Sequence, residues 1–285
     1  MSKEFKRLPT PPRLPTRRAR ILLGILLAAV FAFVGLDLSL FDLVPSGGGL
    51  ELAGKFFSAA FQPAWQYQDA SNLPADIPPF LLQVGRGLWT TLTYAVAAIS
   101  LSIVAGMVLG LLASASFWER RSGTWGVVRW SVRVLIAAMR SIHELLFAVV
   151  FLATLGITPA AAVLAIAIPY TGTLAKVFSE MLDESPRAAA DALAYLGATP
   201  LQVFFLGRLP NAIPDIAAYS FYRFECAVRS SAVLGFFGFT TIGLYLRQSF
   251  ENLHYREVWT YLYALILVVA LLEVWSSQLR RKFVA

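Results

Sequence analysis

Arg140, Glu144, Lys176, Arg223, Glu225 and Arg229 are the residues whose type and spacing set the chemistry of this sequence, because they stand inside blocks of apolar residues. A charge at membrane depth is costly and normally faces a cavity or a partner, so such residues mark an ion path or an ion pair. Arg140 and Glu144 are four residues apart, as are Glu225 and Arg229, and each pair can meet on one helix face. That pairing leaves Arg223 without an obvious neighbour. At 1.5 Å per residue, Arg140 and Arg223 both fall roughly 18 to 20 Å from the inner ends of their blocks, near mid-membrane. Lys176 sits near the inner end of its own block, where its ammonium can also snorkel to the interface. Two readings stay open here: ion pairs within each helix, or cations lining a path. Bond-breaking chemistry is poorly supplied. Cys226 is the sole cysteine, His143 and His254 are the only histidines, and no carboxylate pair or nucleophile with a base stands out. No catalytic residue and no metal site are assigned.

The elements that must hold these charges are membrane helices. Of 285 residues, 58% are hydrophobic and 14% charged, with a mean hydropathy of +0.65, against roughly 25% charged in soluble domains. The apolar residues come in blocks of about twenty, the length that crosses a hydrocarbon layer about 30 Å thick. Net charge is +7, yet the basic residues gather at block ends rather than along a solvated face, which argues against nucleic acid and for membrane topology. Residues 1–20 form a basic tail running from Lys3 to Arg20, read as cytoplasmic. A first, uncleaved span at 21–44 follows, then an outer, periplasmic loop at 45–86 with a short interfacial helix from Leu50 to Phe61. Further spans are expected at 88–117, 128–155, 160–181, 212–236 and 258–279. Arg120 and Arg121 mark an inner turn, "GFTTIGLYLRQSFENLHYRE" lies outside, and a basic C-terminus at 281–285 lies inside. The expectation is an all-α polytopic protein of about six transmembrane helices, with both termini and the 182–210 segment in the cytoplasm.

That segment reads as two short helices rather than a solvated loop. "SPRAAADALAYL" is Ala-rich and strongly helical, with Ser185 as N-cap and Pro186 in the first turn. Gly197 ends it in a left-handed turn, Thr199-Pro200 starts the next helix, and Pro210 follows. Leu193, Leu196, Leu201, Phe204 and Phe205 give the unit an apolar face. Asp191-Ala192-Leu193, three residues, Gly197, then Leu209-Pro210 resembles the EAA loop of ABC importer permeases. Leu193 stands for that pattern's second Ala and Gly207 for its Ile. Over about 87–280 the chain resembles the phosphonate ABC transporter permease family, through Arg-Ser-Ile-x-Glu at Arg140, Gly-x-Leu-x-Lys-x-Phe-Ser-Glu ending at Glu180, and Tyr-Arg-Phe-Glu-x-x-Val-Arg-Ser ending at Ser230. It departs from that family at His143, where Pro is usual, and at Gly238–Gly243, which is less glycine-rich.

The resemblance implies a type I ABC importer permease fold in the bacterial inner membrane. It implies that the chain is not an enzyme and holds no cofactor: ATP and Mg are bound by a partner ATPase dimer, matching the absence of a G-x-x-x-x-G-K-[ST] loop. A second permease subunit, identical or a paralogue, and a periplasmic or surface-held binding protein complete the assembly. Asp191, Ala192, Leu193, Gly197, Leu209 and Pro210 would couple the ATPases to the spans. Arg140 and Arg223 would line the path of a phosphorus oxyanion (phosphonate, phosphite, hypophosphite or phosphate), since the guanidinium fork fits such ions. Glu144 and Glu225 would hold the Arg side chains, with Lys176 and Arg229 in the same set. The alternatives are a permease of this architecture for another solute such as an amino acid, a stand-alone secondary carrier, or a membrane enzyme.

Overall fold

A computed structural model describes residues 17–36, 47–69, 77–118 and 125–284, and every regular element among them is helical. The tail before Arg17, the stretches 37–46 and 70–76, and Arg120–Arg121 lie outside the described residues. The chain parts into a leading unit, residues 1–55, and a main unit, residues 56–285. The leading unit carries α1, Arg17–Gly35, whose 19 residues reach about 28 Å, enough to cross the apolar layer. None of its residues is buried within that unit. Helix α2, Gly47–Ala59, crosses the boundary between the units and corresponds to the short helix expected near Leu50.

In the main unit follow α3 (Phe80–Ala113), α4 (Ala115–Trp118), α5 (Trp125–Ser141), α6 (Glu144–Leu155), α7 (Pro159–Glu184), α8 (Ala188–Tyr195), α9 (Pro200–Gln202), α10 (Leu209–Val233), α11 (Ile242–Glu251) and α12 (Tyr255–Val284). Helix α7 is the axis of the unit and packs on α3, α5, α6 and α10. Its start is fixed by Thr158, whose Oγ1 accepts from Ala161 N at 3.2 Å, and by Pro159 in the first turn. Helix α3 meets it through Ser102, Gly106 and Gly110, spaced by four. A Cβ at Gly106 would stand 2.9 Å from Leu174 Cβ, and one at Gly110 3.0 Å from Phe178 Cβ. Small residues at this interval let two backbones approach where lipid offers no hydrophobic drive for association, so dispersion at close range holds the seam. Ser102 Oγ adds a bond to Ala167 O at 3.0 Å.

The expected continuous span at 128–155 is corrected. Helices α5 and α6 are bent by 86° at Ser141–His143. His143 takes an extended conformation and caps α6, its Nδ1 accepting from Leu145 N at 3.3 Å. The 212–236 span is also altered: helix begins at Pro200, passes through a π-helical stretch at Val203–Arg208 and runs on into α10. Pro210 and Pro214 each lack an N–H for the helical ladder, and the Asn211 side chain donates to Gly207 O at 2.8 Å. Part of the segment expected to lie outside forms α11, bent by 46° from the helix before it. Among the described residues, four helices are long and apolar enough to cross a membrane, or up to six spans if each bent pair counts as one.

At the α11 end of the main unit, Glu257 is buried and accepts from Gln68 N and Ser249 Oγ, both at 2.7 Å, tying α11, α12 and the 60–69 segment together. Burial there, reinforced by the Glu257 carboxylate, raises the Tyr67 phenol above its ordinary pKa. Tyr67 donates to Pro78 O at 3.0 Å.

Candidate functional site

Glu144 lies beyond the bend and opens α6, so it does not share a helix face with Arg140, and the pairing that four-residue spacing suggests is absent. The carboxylate instead accepts from Ser230 Oγ of α10 at 2.9 Å, with His143 Nε2 3.5 Å from its other oxygen. Ser230 Oγ lies 3.0 Å from Tyr170 OH of α7. Over the Tyr170 ring, 4.1 Å from its centroid, stands the Arg223 guanidinium, a cation–π contact between α10 and α7. Arg223 Nε is buried and has no hydrogen-bond partner among the described residues. Three helices thus converge on one polar chain of Glu144, Ser230, Tyr170 and Arg223. Glu225, one turn from Arg229, is buried; Arg229 is exposed and its Nε reaches the Glu225 main-chain carbonyl at 3.5 Å.

Arg140 and Lys176 lie together elsewhere. They line an open cavity of about 350 Å³ between α5 and α7, with Arg133, Ser141 and Ser179. Lys176 pairs with Glu180 one turn on, and Arg133 reaches Asp183 at 3.8 Å. Asp183 is a hub at the end of α7, accepting from Ser114 Oγ at 2.6 Å, Ser116 N at 2.8 Å and Ala115 N at 3.0 Å. Its carboxylate therefore closes the turn between α3 and α4 and reaches α5.

Beyond Asp183 comes the segment read as two short helices. Ser185 does not cap α8: its Oγ donates back to Leu182 O at 2.9 Å and ends α7, while α8 starts at Ala188 after Arg187. Gly197 has φ +83°, and Ala198 N bonds to Leu193 O at 3.1 Å, closing α8 in a left-handed turn. Thr199 and Gln202 form a capping box at the next helix start. Asp191 and Ala192 are exposed on α8 and Leu193 is half-buried. Of the expected apolar face, Phe204 is buried, but Leu196 is 84% exposed beside Tyr195 at 92%. Leu209 and Pro210 open α10, with Leu209 packed on the core. Gly207 is where α8 rests: a Cβ there would stand 2.7 Å from Ala190 Cα, so the Ile of the EAA pattern could not occupy this position without moving α8.

Residues 106–283 match the family described as binding-protein-dependent transport system inner membrane component, well over half of the chain. The chain belongs to that family. This permease is similar to the phosphite transport system permease protein PtxC of Stutzerimonas stutzeri, 31% identical over 70% of each chain. It is similar also to the phosphate-import permease protein PhnE of Mycolicibacterium smegmatis, 27% identical over 77% of this chain and 41% of that one. Among solved structures it matches an inward-facing form of the MetNI methionine ABC transporter at TM-score 0.63 and 21% identity, covering 72% of this chain and 97% of that one. It matches an amino acid ABC transporter at TM-score 0.62, 17% identity, and 71% and 95% coverage. The permease therefore has the type I ABC importer fold and is a multi-pass membrane protein.

Sequence reasoning missed four residues of these sites: Tyr170, Ser230, Arg133 and Asp183. Tyr170 and Ser230 carry no formal charge, and a tyrosine or serine in an apolar block gives no periodic signal. Arg133 and Asp183 lie in the permease near block ends, where a charge is ordinary.

Proposed function

We propose that the permease is the membrane subunit of an ATP-driven importer for a phosphorus oxyanion: phosphite, phosphonate, hypophosphite or phosphate. The observation that carries the reading is Arg223, held over Tyr170 with a buried Nε that has no partner among the described residues. It offers a preset N–H donor and a positive charge at membrane depth, which suit a passing oxyanion. The phosphite and phosphate relatives support the substrate class. Glu144, engaged by Ser230, holds the Tyr170 hydroxyl through that serine and so steadies the platform beneath the guanidinium. Its negative charge also keeps retention weak enough for release.

In this reading the α8 end faces the cytoplasm with both termini, in line with the basic residues at the chain ends. Tyr195 and Leu196 project from α8 to meet a groove of a partner ATPase, which binds ATP and Mg. Two permease subunits, identical or paralogous, enclose the path, and an outer binding protein delivers the ion. Closure of the ATPase pair is carried through Gly197 and the contact of Gly207 on Ala190 into α10, rocking the spans.

The test is uptake into vesicles holding the permease with its ATPase and binding protein. ATP-dependent accumulation of phosphite or methylphosphonate is expected, with little of methionine. Arg223→Ala lowers that uptake by about tenfold or more, the equivalent of one lost charge-assisted contact of about 1.4 kcal/mol. Amino acid uptake in place of any phosphorus oxyanion would sink the substrate class. A wild-type rate in Arg223→Ala at every substrate concentration would sink the path.

A further inference from the structure

The cavity between α5 and α7 lies apart from the Arg223 platform and has its own chemistry. Its volume of about 350 Å³ is at the lower end of ligand pockets, about 300 to 1,000 Å³. Its walls are set close together: a Cβ on Gly172 of α7 would stand 2.9 Å from Met139 Cβ and 3.1 Å from Ile136 O of α5. Arg133, Arg140 and Lys176 supply three cations, against the carboxylates of Asp183 and Glu180. The excess is a single positive charge. Arg140 makes no hydrogen bond or ion pair among the described residues, and Arg133 spends Nε on Ala113 O at 3.1 Å while only one nitrogen approaches Asp183. Both guanidiniums keep N–H groups for a ligand.

The two serines in the wall act in the opposite sense. Ser141 Oγ donates to Ala138 O at 2.8 Å and Ser179 Oγ donates to Lys176 O at 2.7 Å, so each hydroxyl proton is spent and only lone pairs remain for a ligand. A ligand that fits must accept from Arg and Lys and donate to a serine oxygen or a carboxylate. Sulfate has no proton to donate at neutral pH. A monoprotonated phosphorus oxyanion has both P–O⁻ acceptors and a P–OH donor.

We infer that this cavity is a second binding station for a protonated phosphorus oxyanion, on the cytoplasmic side of Arg223, with Arg133, Arg140 and Lys176 as donors and Ser141 or Ser179 as acceptor. The station deepens the proposed function and rests on it for the direction of travel, though its anion chemistry stands on the cavity alone. With two of the three cations offset by carboxylates, the ion is bound weakly, which suits a last stop before release. Arg133 also touches Asp183, the residue that closes the turn of Ser114 to Ser116, so an ion drawn to its guanidinium competes with the link to the end of α7.

The test uses the whole transporter carrying Cys226→Ala and Ala137→Cys, since Ala137 is exposed in the cavity wall. Labelling of the introduced thiol by an anionic methanethiosulfonate is followed in the presence of phosphite, inorganic phosphate or sulfate. Phosphite and phosphate slow it about tenfold at about ten times Kd, as occupancy of 1 + [L]/Kd requires. Sulfate does not, Arg140→Gln removes the protection, and Arg223→Gln leaves it in place. The station is overturned if phosphite and phosphate give no protection, if protection survives Arg133→Gln, Arg140→Gln and Lys176→Gln together, or if sulfate protects as well as phosphite. Vesicle uptake is scored separately: protection without uptake of any phosphorus oxyanion removes the proposed function and keeps the site, while uptake without protection does the reverse.

Discussion

The two sides of α7 are built on opposite principles. Toward α3 the contact is dry and close, with Gly106 against Leu174, Gly110 against Phe178, and Ser102 bonded to Ala167 O. Toward α5 the helices touch closely at Gly172 and then part around an open cavity lined by Arg133, Arg140 and Lys176. One helix therefore carries a fixed seam on one face and a wet, charged recess on the other. The first makes α3 and α7 move as one body, because small residues packed without voids leave no slack. The second leaves room for an ion without loosening the pair. A path through a membrane protein needs both: a rigid wall, and charges whose solvation is not wholly removed.

The largest effect should come from breaking the seam. Gly110→Val adds three carbons where a Cβ would already stand 3.0 Å from Phe178 Cβ and 3.1 Å from Ala175 O. Overpacking of this kind costs about 1 to 3 kcal/mol, and here two long helices must separate to relieve it. The expected outcome is a lower thermal midpoint in detergent and a reduced yield of monodisperse protein. An unchanged midpoint would mean that α3 and α7 slide freely, and the rigid-wall account would fall.

A middle effect belongs to the end of α7, where the seam and the recess meet. Asp183→Asn keeps the shape but removes the charge that accepts from Ser114 Oγ, Ala115 N and Ser116 N and faces Arg133. Hydrogen bonds to charged groups contribute about 1.5 to 3 kcal/mol each, but Asn retains an acceptor oxygen and the Asp183 side chain keeps a quarter of its surface in solvent, so a net loss of about 1 kcal/mol is expected. Faster amide exchange confined to residues 113–118 would check it. Equal exchange across the whole of α3 and α7 would instead make Asp183 a global brace.

These residues also mark what was legible in the sequence. Gly197 and Thr199 declare their turn and helix start because each acts through its own local backbone, and both features are present as read. The span at 128–155 was not legible as a bent pair. Apolar residues continue on both sides of Ser141–His143, and an N-cap formed by histidine gives no composition change. The error propagated, since the four-residue spacing of Arg140 and Glu144 has meaning only on an unbroken helix. Leu196 was legible as part of an apolar face but not as to what that face meets, because residue type does not say which surface covers it: this side chain is exposed at the tip of α8. Gly207 was visible as a departure, but its reason, the backbone of Ala190 at contact distance, is a tertiary fact.

The smallest effect should come from the recess itself, and that contrast is the sharpest use of the two-sided helix. Glu180→Gln removes the partner of Lys176 at a position where the two side chains are 50% and 44% exposed. An exposed pair one turn apart is worth about 0.3 to 0.5 kcal/mol at most, because water and salt already screen both charges. The thermal midpoint should therefore barely move, and the little that is lost should disappear at high salt. Electrostatically the same change raises the cavity from one excess positive charge to two, so labelling of Ala137→Cys by the anionic reagent should quicken while a cationic reagent slows. A change in stability as large as that of Gly110→Val would show that the α5 face of α7 is as dry as the α3 face, and no ion could then be expected to rest there.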